Sequence, residues 1–267
     1  MSPPLLRHTW RSQRTKLLIV MMGLAIWGFL MPIIYATVGK DLEALISSNP
    51  LFRQMSQFGG ADVFSLGGAI ALGFVHPIAV ALIGVFAVGM GSSAVAGERQ
   101  RGTLEVLLAR PVSRNGMYLT LLLAVGLFIA LAVAALLAGS LVGALAWDVL
   151  GEIDVARVPI LFLNGWLLWF AFAALALAAS VSFDRLAPAL GITLGVVIIS
   201  YFLDVLGSLW PDAAWLQPYS LFHYLRPKPV LTGTFPTLDL ALLSVVAVIG
   251  IAYALWIFPR RDIAAPS

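Results

Sequence analysis

The sequence contains no cysteine. That absence excludes a disulfide framework, a thiol nucleophile and thiolate metal ligands, and it leaves the redox compartment open. Charge is almost as scarce: Asp, Glu, Lys and Arg make up 11% of the chain, against about 25% in an ordinary soluble domain. Only His8, His76 and His223 supply imidazole. They stand far apart, form no H-E-x-x-H pair, and no Ser/His/Asp arrangement falls within the apolar runs, so a membrane-embedded hydrolase is not supported and no metal is expected. A G-x-x-x-x-G-K-[ST] phosphate loop is also missing. Gly39-Lys40 is followed by Asp41 and has no matching glycine upstream. The chain therefore has no means of cradling a nucleotide by itself. Neither a polar pore stripe nor a filter-like sequence speaks for a passive channel. Internal repeats and low-complexity tracts are absent as well.

What the chain has instead is apolar surface. At 61% hydrophobic residues, it carries more than a soluble fold of this length has interior to hide. The class is an all-α integral membrane protein, read as one domain over residues 1–267. Six spans are expected, at about 17–38, 63–96, 117–147, 159–183, 186–206 and 238–258. The second exceeds the roughly 20 residues that cross a bilayer, so it is tilted, broken or projecting. The first run lacks a small-residue cleavage pattern, and no cleaved signal peptide is expected.

The polar segments fix the expected topology. The first sixteen residues carry Arg7, Arg11, Arg14 and Lys16, either as a plain basic flank or as a short helix laying Leu6 and Trp10 on lipid. Asn49-Pro50 is a cap-then-first-turn signal, followed by Leu51, Phe52, Met55 and Phe58 on one helical face, which suggests a short interfacial helix. Arg99, Arg101, Arg110, Arg114, Arg185, Arg260 and Arg261 fall on the same side as the N-terminus. Lys40, Arg53, Arg157, Arg226 and Lys228 fall on the other. The excess of cations places the first side, with both termini, in the cytoplasm. Such clustering reports orientation, and no nucleic-acid partner is expected.

One stretch organises the rest. Residues 97–114 carry Glu98, Arg99, Arg101, Glu105, Arg110 and Arg114, whereas the runs starting at Val63 and Met117 hold no Asp, Glu, Lys or Arg. A charged segment between such spans sits in water at a membrane face. Thr103 is the expected N-cap of a helix from Leu104 to Arg110, stopped by Pro111. Leu104, Leu107 and Leu108 then share one face, while Glu98, Arg101 and Glu105 are offered to the aqueous side. The bland alternative is an ordinary solvated loop.

These residues resemble a known family. Glu98 through Arg114 follow the pattern E-R-x-x-G-T-L-E-x-L-L-x-x-P-x-S-R, which is similar to the signature of ABC type-two (exporter-class, type V) permease subunits. Ser220-Leu-Phe-His-Tyr224, Gly233 before the last span and Phe258-Pro-Arg-Arg-Asp262 after it resemble the usual ending of that family. The resemblance implies that 97–114 holds a coupling helix docking on a separate ATPase chain. Glu98, Arg99, Arg101, Gly102, Thr103, Leu104, Glu105, Leu107 and Leu108 would form the docking segment. It also implies ATP and magnesium on that partner and none here, a second permease copy, and residence as a multi-pass protein of the cell (cytoplasmic) membrane. Export of a substrate is the expected activity. The alternative is an ABC-type mechanical, regulatory or enzyme-assembly complex without bulk export.

Other features carry a structural and a functional reading side by side. His76-Pro77 lies inside a span. It is either an intramembrane polar site or, as the favoured reading has it, a device satisfying the carbonyl that proline frees or a residue at a span end. Asp204 and Asp212 either touch cargo or mark an aqueous boundary, the latter being the commoner case. Gly139/Gly143 and Gly191/Gly195 have the spacing of close helix contacts. Trp166/Trp169 and Trp210/Trp215/Tyr219 are expected as interfacial anchors.

Overall fold

A computed structural model of the chain describes residues 2–39, 64–104 and 113–261. The described residues form helices and turns without a strand. The helices are α1 (Pro3–Ile34, continued by a π-helical turn Tyr35–Gly39), α2 (Leu66–Val75), α3 (Pro77–Gly84, continued through residues 85–93), α4 (Ala96–Gln100), α5 (Arg114–Ala146), α6 (Val158–Ser182), α7 (Leu186–Leu209), α8 (Pro227–Leu231) and α9 (Thr237–Arg260). Five of them are long and apolar enough to cross a membrane, and the α2–α3 pair, bent by 48°, has the composition of either a broken sixth span or a re-entrant loop.

The bend has a specific cause. Pro77 lacks an N–H, so the carbonyl of Gly73 loses its helical partner. The indole Nε1 of Trp27 in α1 donates to that carbonyl at 3.1 Å. His76 does not fill this role. Its backbone N–H closes α2 on Leu72, while its Nδ1 accepts from the N–H of Ile78 at 3.3 Å and caps α3. The imidazole then lies 4.5 Å from the Trp27 ring. His76 is therefore a cap acceptor for α3 and not the expected donor to the freed carbonyl, which is served from a neighbouring helix.

The basic N-terminal residues do not form a separate interfacial helix. They are the first four turns of α1, which runs on unbroken into the span. Small residues let α1 and α5 meet backbone to backbone. A Cβ placed on Gly139 would come within 2.1 Å of the Ala25 carbonyl oxygen, and one on Gly143 within 2.5 Å of that of Phe29. The Gly139/Gly143 spacing is thus consumed inside the chain, whereas Gly191 and Gly195 meet nothing within 4 Å.

Helix α6 is the axis of the core. Asn164, Leu168, Trp169, Phe172 and Leu177 are all fully buried on it. Trp169 is correspondingly a core residue rather than an interfacial anchor, packed against Phe172 and Phe222. Trp166 stacks on Phe170 and donates to the Gly126 carbonyl at 2.9 Å. Phe222 arrives from the long segment between α7 and α9, which is pinned at both flanks. The Ser220 hydroxyl donates to the Ser200 carbonyl at 2.6 Å. The Asn164 amide donates to the Tyr224 carbonyl and accepts from the N–H of Arg226. The Ser220–Tyr224 motif is thus a plug that closes one end of the bundle.

Candidate functional site

The opposite end gathers the start of α1, helix α4, the α6–α7 turn, the start of α5 and the end of α9. Helix α4 is set by one buried serine. The hydroxyl of Ser180 accepts from the N–H groups of Val95 and Ala96 at 2.9 and 3.0 Å and donates to the Ser92 carbonyl at 2.7 Å. Its bonds fall on the break between the helix ending at Ser93 and the new one starting at Ala96. No motif marks Ser180 in the sequence, since serine is ordinary in an Ala-rich span.

Helix α4 ends in a Schellman turn. The N–H of Thr103 bonds to the Glu98 carbonyl at 3.0 Å and that of Gly102 to the Arg99 carbonyl at 3.0 Å. Gly102 takes φ +70°, a left-handed conformation that costs other residues about 1–2 kcal/mol. The Thr103 hydroxyl also donates to the Glu98 carbonyl, at 3.1 Å. Glu98 and Arg101 form an ion pair across one turn. The chain then dives inward. Leu104 is 2% exposed and joins a cluster with Val95, Met117, Tyr118, Leu121 and Phe258. Leu104 is therefore an internal anchor, where the expectation had it sharing one face of an amphipathic helix with Leu107 and Leu108. Glu105, Leu107 and Leu108, with the helix expected over 104–110, lie outside the described residues beyond Leu104, as does the interfacial helix expected after Asn49.

Arg99 is 15% exposed and pairs with Asp184 at 2.6 Å. Arg261 pairs with the same carboxylate oxygen and donates to the Val181 carbonyl at 2.9 Å. The Gln100 side chain accepts from the N–H of Leu186 at 2.9 Å, satisfying an orphan amide at the start of α7. Arg114 reaches the carbonyls of Phe258, Pro259 and Arg261 at 3.2, 3.3 and 2.6 Å, placing a cation on the negative end of α9. Gln100, Asp184 and Arg261 escaped the sequence reading. The only signal for Asp184 was its place in a very tight turn between two spans.

The residues expected to dock therefore divide into two groups. Arg99, Gly102 and Leu104 hold the segment to its own chain. Glu98, Arg101 and Thr103 lie on the outer curve of the turn. Glu98 and Arg101 also line a cavity of about 330 Å³ with His8, Ser12 and Lys16 of α1. Among the described residues no group of three or more His, Asp or Glu is placed to hold a metal ion.

His76 takes no part in this end. At the plugged end, Asp204 is buried beside His223, whose Nδ1 lies 3.9 Å from its carboxylate. The His223 Nε2 contacts the Arg226 guanidinium at 3.1 Å. Burial, and secondly the Arg226 charge, push the His223 pKa below its ordinary value. Asp212 stands apart from this group, on an exposed 3₁₀ turn.

A family model for ABC-2 family transporter proteins matches residues 6–263. The chain belongs to that family, as a multi-pass membrane subunit of the permease kind. No curated protein matches it.

Proposed function

We propose that the chain is the permease subunit of an ATP-driven exporter in the cell membrane. It works as a homodimer, or beside a related permease, with two cytoplasmic ABC ATPase subunits that carry ATP and magnesium. The observation that carries this reading is the Glu98–Leu104 turn. It is a short rigid element, clamped at Arg99, Gln100 and Leu104, at the end of the bundle where the basic residues concentrate.

Coupling needs an element that both sides can bias. In this reading the ATPase engages Glu98, Arg101, Thr103 and the residues that follow them, Glu105 included. Closure of the ATPase pair pushes the turn. Because Arg99 grips the α6–α7 turn and Gln100 caps α7, the push is delivered to the fourth and fifth spans together. Ser180 ties the same displacement to the end of the second span. Alternating exposure of the pathway follows from the shift of these spans against α1 and α5, which stay locked by their glycine contacts.

The test is a Glu98→Ala/Glu105→Arg double variant, co-expressed with the ATPase chain. It is expected to reach the membrane at normal levels while losing most ATPase copurification or uncoupling hydrolysis from transport. Full association together with full transport would overturn the docking role.

A further inference from the structure

We propose that the cavity at the plugged end of the bundle binds a small zwitterion, with a phosphate and an ammonium group separated by a few bonds. The cavity holds about 360 Å³ and is lined by Asp204, His223, Arg226, Lys228 and Thr234, among others. At about 30 Å³ per water, that is room for about a dozen waters or one polar head group. It lies at the far end from the Glu98 turn, so its occupancy does not depend on the docking reading.

The argument rests on two opposite charges that do not neutralise each other. The Asp204 carboxylate is buried, and its nearest cationic candidate is His223 Nδ1 at 3.9 Å, beyond hydrogen-bond length. The Arg226 guanidinium donates to His223 Nε2 at 3.1 Å. A guanidinium only donates, so Nε2 must be the unprotonated nitrogen, the proton sits on Nδ1, and the ring is neutral. The downward shift of the His223 pKa agrees with that assignment. The neutral ring thus spaces a carboxylate from a guanidinium by its own width. Arg226 Nε is buried without a hydrogen-bond partner; the guanidinium makes an ion pair with Asp239 at 3.6 Å, beyond hydrogen-bond length, so its donors stay open to a ligand. Unused acceptor capacity on one wall and unused donor capacity on the other therefore face a common space.

A bare anion would satisfy Arg226 and meet repulsion from Asp204, and a bare amine would suffer the reverse. Both charges are met by a molecule carrying an ammonium toward Asp204 and an anion toward Arg226. An α-amino acid holds its two charges on one carbon, too close to straddle the imidazole. A phosphate suits the guanidinium fork, and a second cation, Lys228, with the hydroxyl of Thr234, lines the same wall. Phe222, Leu225, Pro227 and Pro229 supply apolar wall for the carbons that join the charges.

The test is titration calorimetry on the full chain, purified in phospholipid-free detergent. The probes are glycerophosphoethanolamine, inorganic phosphate and ethanolamine. The whole molecule is expected to bind at least tenfold more tightly than either half. Asp204→Asn should reduce it to the level of phosphate, and Arg226→Gln should abolish binding. Should Arg226→Gln fail gel filtration, Lys228→Gln at the rim is expected to weaken binding several-fold in an intact protein. Absence of binding to a monodisperse protein, equal binding of the halves and the whole, or indifference to Asp204→Asn would overturn the proposal. Repeating the titration in nanodiscs separates the sources of this chemistry. Loss of the soluble ligand in phosphatidylethanolamine but not in phosphatidylglycerol discs makes the occupant a lipid head group, and equal binding in both makes it a soluble phosphoamine.

Discussion

Asp184 is the clearest case of a single side chain with several dependants. It receives Arg99 and Arg261, and so ties the second, fourth and last spans at one end. Its side chain is 56% exposed, and pairs so open to water contribute about 1 kcal/mol or less. Asp184→Asn should therefore melt within a few degrees of the parent, while coupling of ATP hydrolysis to transport falls in reconstituted vesicles. Asp184→Arg, which puts a third cation between Arg99 and Arg261, should lower the melting temperature further. Unchanged coupling in both variants would reduce the clasp to decoration. Trp27 makes another kind of contact, a half-buried hydrogen bond between two helices. Trp27→Phe strips the Gly73 carbonyl of its donor in an apolar setting, at about 1–3 kcal/mol, whereas His76→Asn keeps a cap for α3 and should be milder than His76→Leu. Thermal melts of the three variants would check that order.

At the level of elements, the contacts divide the helices into a locked pair and a movable group. Helices α1 and α5 approach so closely that no side chain fits at Gly139. Gly139→Leu is expected to separate them and to abolish the monodisperse peak in gel filtration, and the same change at Gly191, which faces open space, should be tolerated. Gly102→Ala forces a Cβ into a left-handed turn, costing about 1–2 kcal/mol locally. It should disturb ATPase association far more than it disturbs the melting temperature. The plug between α7 and α9 has a pH signature. The His223 pKa is lowered in the folded state, by burial first and the Arg226 charge second. The unfolded chain then binds the proton more readily. The stability tied to neutral His223 is complete above the unfolded value of about 6.5 and declines as pH falls through that value toward the folded one. A melting-temperature profile from pH 7.5 to 5 should drop in the parent and drop less in His223→Gln.

For the whole molecule, the ion-paired end and the plugged end are distinct surfaces separated by the length of the spans. Reporter fusions after residues 105, 152 and 225 should place only 105 in the cytoplasm. An external signal at 105 would invert the orientation and remove the docking proposal with it. The two ends also answer to different tests. Variants at Glu98 or Asp184 are expected to alter coupling without affecting the plugged cavity, and those at Asp204 or Lys228 to do the reverse. A variant at one end that abolished both functions would indicate general loss of fold.

Much of this was legible in the chain alone, because the governing forces are local or averaged. A bilayer demands long apolar helices whatever their neighbours do, so the expected runs at 117–147, 159–183 and 186–206 correspond to α5, α6 and α7 within a few residues. The break at His76-Pro77 follows from a missing N–H. Partnership was not legible. Nothing in sequence spacing says that Trp27 serves Gly73, that Ser180 bonds across the break after Ser93, or that Arg99 turns inward to Asp184 while Glu98 stays on the rim. Likewise Leu104 read as part of an amphipathic docking helix and Trp169 as an interfacial anchor until packing buried them. Sequence determined which segments must leave water and where the backbone must break. Only the tertiary structure decided which polar atoms meet across those breaks, since a hydrogen bond needs two groups within about 3 Å that the chain order leaves tens of residues apart.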